Sequence, residues 1–156
     1  MEQSGTILVG VGVLVVREDN AVVVGRRLNS HGEGLLALPG GKLEFGERFE
    51  ETAIRELAEE TGIAIGENAQ VVAPLETVDV LGTVMPEEKL HAIVPFVCAY
   101  VGAGCPEPER VEPHKCAGWE WMAWGALKAM DDTELFGPLR DFVRKGEWEP
   151  AHPGRE

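Results

Sequence analysis

Positive charge is what this chain has little of. Its 14 Lys and Arg stand against 27 Asp and Glu, a net charge of -13 over 156 residues. Nonspecific nucleic-acid and anionic-membrane binding both need a basic surface, so neither a nucleic-acid polymer nor a membrane is an expected partner. A small nucleotide stays open, because a metal ion can bridge a carboxylate to a phosphate. No run of 18 apolar residues occurs, so no helical membrane span is expected. The opening Met1-Glu2-Gln3-Ser4-Gly5 lacks the positive charge of a signal peptide, and a cytoplasmic protein is expected. Cysteine is scarce and odd in number: Cys98, Cys105 and Cys116 have no metal-ligand spacing and read as reduced thiols. The four histidines are scattered, so no zinc site is expected. Repeats and linkers are missing too. One domain over residues 1–146 is expected, with 147–156, which holds two prolines, as a frayed tail.

What is present is an α/β pattern. Ile7 to Val16 is a Val-rich buried strand, and Ala21 to Arg26 returns after a Glu18-Asp19-Asn20 turn. Leu35 to Leu38 is a short strand running into Pro39-Gly40-Gly41, where the backbone can approach a ligand closely. Val71 to Val80, His91 to Val101 and Trp119 to Met122 read as strands. Ala126 to Met130 and Leu135 to Lys145 read as helices. A further helix is expected over Glu47 to Thr61, rich in Glu, Arg, Leu and Ala, with Gly62 placed to cap it.

That helix carries an anomaly. Phe49, Ala53, Ile54 and Leu57 form its apolar arc, yet Glu60 projects into the arc and Glu56 lies at its edge. Glu56, Glu59 and Glu60 are one turn apart, so their carboxylates converge. They sit toward the C-terminal end, where the helix dipole disfavours negative charge. Arg55 offsets part of that repulsion. A hard divalent cation, Mg²⁺ or Mn²⁺, offsets the rest.

The full spacing is Gly41, five residues, Glu47, seven residues, then Arg55-Glu56-Leu57-Ala58-Glu59-Glu60-Thr61-Gly62-Ile63. Seven fixed positions, each met by chance in about 7% of cases, give a random match on the order of one in a hundred million per start position. This pattern resembles the complete Nudix box. The resemblance implies a Nudix α/β/α sandwich with a mixed sheet and a central catalytic loop-helix-loop. It also implies a Mg²⁺-dependent hydrolase of nucleoside diphosphates linked to another group. Metal ligands would be Glu56, Glu59 and Glu60, with the Gly40 carbonyl and Glu112 added. Glu59 or Glu60 would help remove a proton from water, and Arg55 would orient the glutamates.

Flanking segments extend the resemblance to small MutT-like nucleoside triphosphate diphosphatases of eukaryotic cytosol, roughly from Val9 to Arg144. They are Gly25-Arg26-Arg27, Leu38-Pro39-Gly40-Gly41, Glu112-Pro113-His114-Lys115-Cys116, Trp119-Glu120-Trp121 and Leu135-Phe136. These imply a homodimer and (deoxy)nucleoside triphosphates, oxidised ones such as 8-oxo-dGTP included, cut to monophosphate and pyrophosphate. Arg27 would steady phosphates. Leu38, Gly41, Phe136 and Leu139 would contact substrate, with Phe136 stacking on the base. Gly137 stands where relatives often carry an aromatic, which implies a wide pocket and broad base preference. Trp119 and Trp121 are expected to pack in the core. A diphosphatase for ADP-ribose, a dinucleotide or an isoprenoid diphosphate stays open, because the box reads only the diphosphate. So does a non-catalytic nucleotide-binding module, although no box glutamate is missing.

Overall fold

The computed structural model describes residues 4–154. Met1, Glu2 and Gln3, which contribute to the signal-peptide reading, and Arg155 and Glu156 at the end of the expected tail lie outside them. Seven strands form one mixed sheet: β1 Thr6–Val16, β2 Ala21–Arg27, β3 Leu36–Ala37, β4 Gly40–Lys42, β5 Glu76–Met85, β6 Leu90–Tyr100 and β7 Cys116–Ala123. The main order is β3-β2-β1-β6-β5, with β7 on β2 and β4 on β1. The β1–β6 pair is parallel, and the other strand pairs are antiparallel. Three α-helices complete the fold: α1 Phe49–Thr61, α2 Trp124–Lys128 and α3 Gly137–Lys145.

Central strands buried on both faces explain the near-continuous apolar runs in the sequence. Along β1, Val11, Val13 and Val15 face a cluster shared with Ala53 and Leu57 of α1. Leu14 and Val16 face the opposite cluster, with Leu139, Phe142 and Val143 of α3. The period-2 alternation of one strand therefore serves two cores, and the result is the three-layer sandwich. Trp119 and Trp121 pack against the α1-side cluster. No helix of the described residues is long and apolar enough to cross a membrane.

Several boundaries differ from expectation, among them α2, which starts at Trp124 rather than Ala126, and β7, which starts at Cys116 rather than Trp119. The helix α1 begins at Phe49 rather than Glu47, because Arg48 is extended (φ -77°, ψ 159°) and the Glu47 carboxylate is held by Arg55. The strand β5 starts at Glu76 and runs to Met85; Val71 makes only an isolated bridge to Val101. The helix α3 starts at Gly137, where Pro138 suits a first turn. The tail needs the largest correction. Over 147–154 it is irregular but packed: Trp148 lies edge-on to Trp124 at 5.2 Å, and buried His152 is bonded to the Val101 carbonyl at 2.7 Å. Its prolines rule out a helix but not burial of an indole and an imidazole.

Candidate active site

The carboxylate corner is assembled where α1 meets β4. Gly62, at φ 77°, caps α1 through its N–H to the Ala58 carbonyl. Arg55 organises the other end. Its Nε and Nη2 donate to both oxygens of Glu47 at 2.8 and 3.0 Å, and Nη2 also donates to the Lys42 carbonyl at 3.1 Å. Its Nη1 donates to Glu56 at 2.8 Å and reaches Glu59 at 3.4 Å. These bonds, that to Glu47 foremost, raise the guanidinium above its ordinary pKa and hold the Glu47 carboxyl down at about 2. The fixed place of Glu47 in the box spacing is the sequence signal for this pairing.

Glu60 is the electrostatic oddity. Burial is the first cause that pushes its carboxyl up to about 8, and the charges of Glu56 and Glu112 add to it. The Gly40 N–H, which donates to its Oε1 at 2.9 Å, and Lys115 oppose the rise. Burial also raises Glu56, against the Arg55 hydrogen bond. One oxygen of Glu112 is buried without a hydrogen-bond partner, while the other lies 3.4 Å from Lys115. Glu59 is exposed. As placed, no three His, Cys, Asp or Glu side chains among the described residues are close enough to hold a metal ion; Arg55 and the Gly40 amide instead engage oxygens of Glu56, Glu59 and Glu60. The donor set nevertheless fits a hard cation. It consists of oxygens, one of them is orphaned, and burial together with the Glu56 and Glu112 charges makes ionisation of Glu60 costly without a cation.

The glycines are fixed by space. A Cβ on Gly40 would overlap the Val11 carbonyl oxygen, and one on Gly41 would overlap the Glu56 carboxylate. This close approach, rather than unusual dihedrals, is why both positions carry no side chain.

Beside the corner opens a cavity of about 180 Å³. It brings together Arg27, Leu38, Gly40, Gly41, Phe136 and Leu139, residues drawn from β2, the β3–β4 junction and the start of α3. Phe136 is half-buried, and the Arg27 guanidinium lies over its ring at 4.0 Å. That face is occupied, so a base stacks there only by displacing Arg27 or by using the guanidinium plane itself. Gly137 does not widen the cavity as expected: a Cβ there would point at Thr83 and Met85 on β5. Pro138 and Leu139 line the cavity instead, and Ser30 and His31 from the β2–β3 loop close it. Those two were not found from sequence, because a polar loop near Gly32 and Gly34 carries no spacing signal.

A NUDIX domain family model matches residues 6–145. The MutT NUDIX hydrolase structure from Burkholderia pseudomallei is similar at a TM-score of 0.68, with 26% identity, covering 89% of this chain and 97% of that one. An ADP-ribose pyrophosphatase of Methanocaldococcus jannaschii is 43% identical over 49 residues, 31% of this chain and 29% of that protein. An 8-oxo-dGTP diphosphatase of Proteus vulgaris is 40% identical over 57 residues, 36% of this chain and 51% of that protein. The matched stretches thus span about a third to a half of these curated relatives.

Proposed function

Because the chain belongs to the NUDIX family, we propose that it is a Mg²⁺-dependent hydrolase of phosphoric anhydride bonds. Its main substrates would be (deoxy)nucleoside triphosphates, oxidised ones such as 8-oxo-dGTP included, cut by water to monophosphate and pyrophosphate. The observation that carries this reading is the meeting of Glu60 with the Gly40 amide and of Glu56 with Gly41, at the edge of a cavity of about 180 Å³ lined by Arg27 and Phe136.

Glu56, Glu59 and Glu60 would hold the metal, with the orphaned oxygen of Glu112 and the Gly40 carbonyl completing the set. A hard divalent cation there supplies charge neutralisation for the phosphates and makes water acidic enough to react near neutral pH. Glu59 or Glu60 takes the proton of the attacking water. Arg55, fixed by Glu47, keeps Glu56 and Glu59 oriented. Arg27, Leu38, Gly41, Phe136 and Leu139 bind the nucleotide.

A cytoplasmic setting belongs to the same reading, with Cys98, Cys105 and Cys116 as free thiols. So does a homodimer, for which the sheet offers a surface. Ile7, His91 and Val84 lie in register, as do Val9, Ile93 and Gly82, on the open end of the face that packs α1. Ile7, Val80 and Val84 are 72%, 47% and 59% exposed, and β5 is the sheet edge. No carboxylate stands among these residues, which limits the repulsion between two chains of net charge -13 meeting there.

The test of function is a panel of nucleoside triphosphates, their 8-oxo forms, ADP-ribose, dinucleotides and isoprenoid diphosphates with Mg²⁺, products resolved by chromatography. Monophosphate plus pyrophosphate from triphosphates supports the reading. Much faster turnover of ADP-ribose, the substrate in the name of one relative, overturns the substrate class. Binding without turnover of any compound overturns the enzyme.

A further inference from the structure

The cavity is closed on one side by the loop between β2 and β3, and the apex of that loop is held from a distance. The base of the loop is well tied. Leu28 N–H donates to the Lys115 carbonyl at 2.9 Å, Asn29 Nδ2 to the His114 carbonyl at 2.7 Å, and Gly34 N–H to the Arg27 carbonyl at 2.7 Å. The apex, His31-Gly32, has one side-chain partner from outside the loop and β2 among the described residues: Glu88. One carboxylate oxygen accepts the Gly32 N–H at 3.0 Å, and the other lies 2.8 Å from His31 Nδ1.

Glu88 ends a one-turn 3₁₀ helix, Pro86–Glu88, at the tip of the β5–β6 hairpin. Lys89 beside it bonds back through its N–H to Pro86, and its carbonyl accepts the Thr6 N–H at 2.8 Å. The anchor is therefore tied to the end of the sheet. The apex in turn touches the nucleotide-binding side chains. The His31 carbonyl accepts from Arg27 Nε at 2.6 Å, and Ser30 Oγ accepts from Nη2 at 3.2 Å. Gly32, at φ 71°, lies so close to the Phe136 ring that a Cβ would collide with it. Arg27 covers Phe136 at 4.0 Å. The chain of contacts runs Glu88, His31-Gly32, Arg27 and Phe136, cavity.

We propose that Glu88, which does not line the cavity, is a positioning residue for substrate. It clasps the apex of the β2–β3 loop across the cavity and so fixes the Arg27–Phe136 stack. This rests on the reading of the cavity as the nucleotide site. It assigns the hairpin tip to affinity and leaves the chemistry to α1.

The test compares wild type with Glu88→Ala and Glu88→Gln. Kinetics are read on whichever phosphoric anhydride substrate the panel identifies, ADP-ribose included. The exchange rate of the Gly32 amide is read by NMR without any substrate. In Glu88→Ala, KM should rise about 3- to 10-fold, the fold-change that corresponds to one or two hydrogen bonds, while kcat stays within about twofold. The Gly32 amide should exchange faster, as a loosened loop requires. Glu88→Gln keeps an acceptor for that amide and should recover most of the KM. Faster Gly32 exchange with unchanged KM overturns the proposal, and so does an unchanged Gly32 rate. An equal fall in kcat and kcat/KM at constant KM overturns it as well. If no compound is turned over, the function proposed above fails, and dissociation constants for a nucleoside monophosphate titrated into the three proteins replace KM with the same expected ratio.

Discussion

The carboxylate corner and the cavity beside it share Gly40 and Gly41, yet they are built on opposite plans. The charges of the corner come mostly from one stretch, Glu44 to Glu60, in which charge meets charge: Arg55 lies within 4.0 Å of four glutamates, and Glu60 has no salt bridge among the described residues. The cavity comes from segments spread from Leu8 to Leu139, most of its lining is apolar, and its arginine has no carboxylate within 4.0 Å among the described residues. Chemistry that needs several charges at fixed spacing is economically held by one helix, where the 3.6-residue period sets the spacing. Recognition of a flat organic group needs walls, and walls come from separate elements. If the two regions are as distinct as this, perturbing the corner should change kcat and perturbing the cavity should change KM.

The largest effect is expected in the corner. Glu56→Gln and Glu60→Gln preserve size and remove a charge proposed to bind metal. Each should lower kcat by at least about a hundredfold, with KM and the circular dichroism spectrum little changed. Steady-state kinetics at saturating Mg²⁺ reads this. Near-wild-type turnover in both, or full activity in EDTA, breaks the comparison at its chemical end.

The intermediate effect is in the cavity. Phe136→Ala should raise KM by about 5- to 150-fold, the range of a lost stacking contact of about 1–3 kcal/mol. The Arg27 stack makes the outcome more specific, since removing the ring also frees the guanidinium. Arg27→Ala combined with Phe136→Ala should therefore cost less than the sum of the two changes. An unchanged KM in a folded Phe136→Ala protein removes this residue from the site. A drop of many degrees in melting temperature with KM intact makes it a core residue.

The same contrast explains what could be read from sequence. The fold class followed from Val-rich runs in β1 and β6 and from one helix with caps, because these are local signals. The corner was legible down to Arg55 because helical spacing converts sequence separation directly into direction. Leu38, Phe136 and Leu139 were placed at the cavity by resemblance alone, and nothing local announces that β3 and α3 meet there. The Ser30-His31 wall and the Glu88 clasp were illegible, since a contact across 56 residues between two polar loops has no periodicity. Gly137 was misread for a related reason: position in a motif does not say which way a missing side chain would point. The tail was misread because two prolines exclude regular structure but not the burial of Trp148 and His152.

The last contrast concerns stability, and it separates the two regions without any substrate. Glu60 has an ordinary pKa of 4.5 and is pushed up to about 8, first by burial. The folded protein therefore holds this proton more tightly than the unfolded chain does. Unfolding then releases a proton between these values, so stability is lost as pH rises from about 4.5 to about 8. Glu47 has the opposite sign: Arg55 holds it at about 2, and its contribution is lost as pH falls from about 4.5 toward 2. Through these two groups, metal-free protein should lose stability as pH rises from about 4.5 to about 8 and as it falls from about 4.5 toward 2. Each kcal/mol lost should appear as about 2–4 °C. Glu60→Gln should flatten the alkaline arm and leave the acid arm, because a neutral amide has no proton to release. Millimolar Mg²⁺ should flatten the same arm in wild type by stabilising the ionised carboxylate. A cavity change such as Phe136→Ala should shift the whole curve and leave its shape alone. Scanning fluorimetry from pH 3 to 9 reads all four cases. An alkaline arm equally steep in Glu60→Gln would mean that the buried carboxylate is not the group titrating, and the electrostatic distinction between corner and cavity would fall with it.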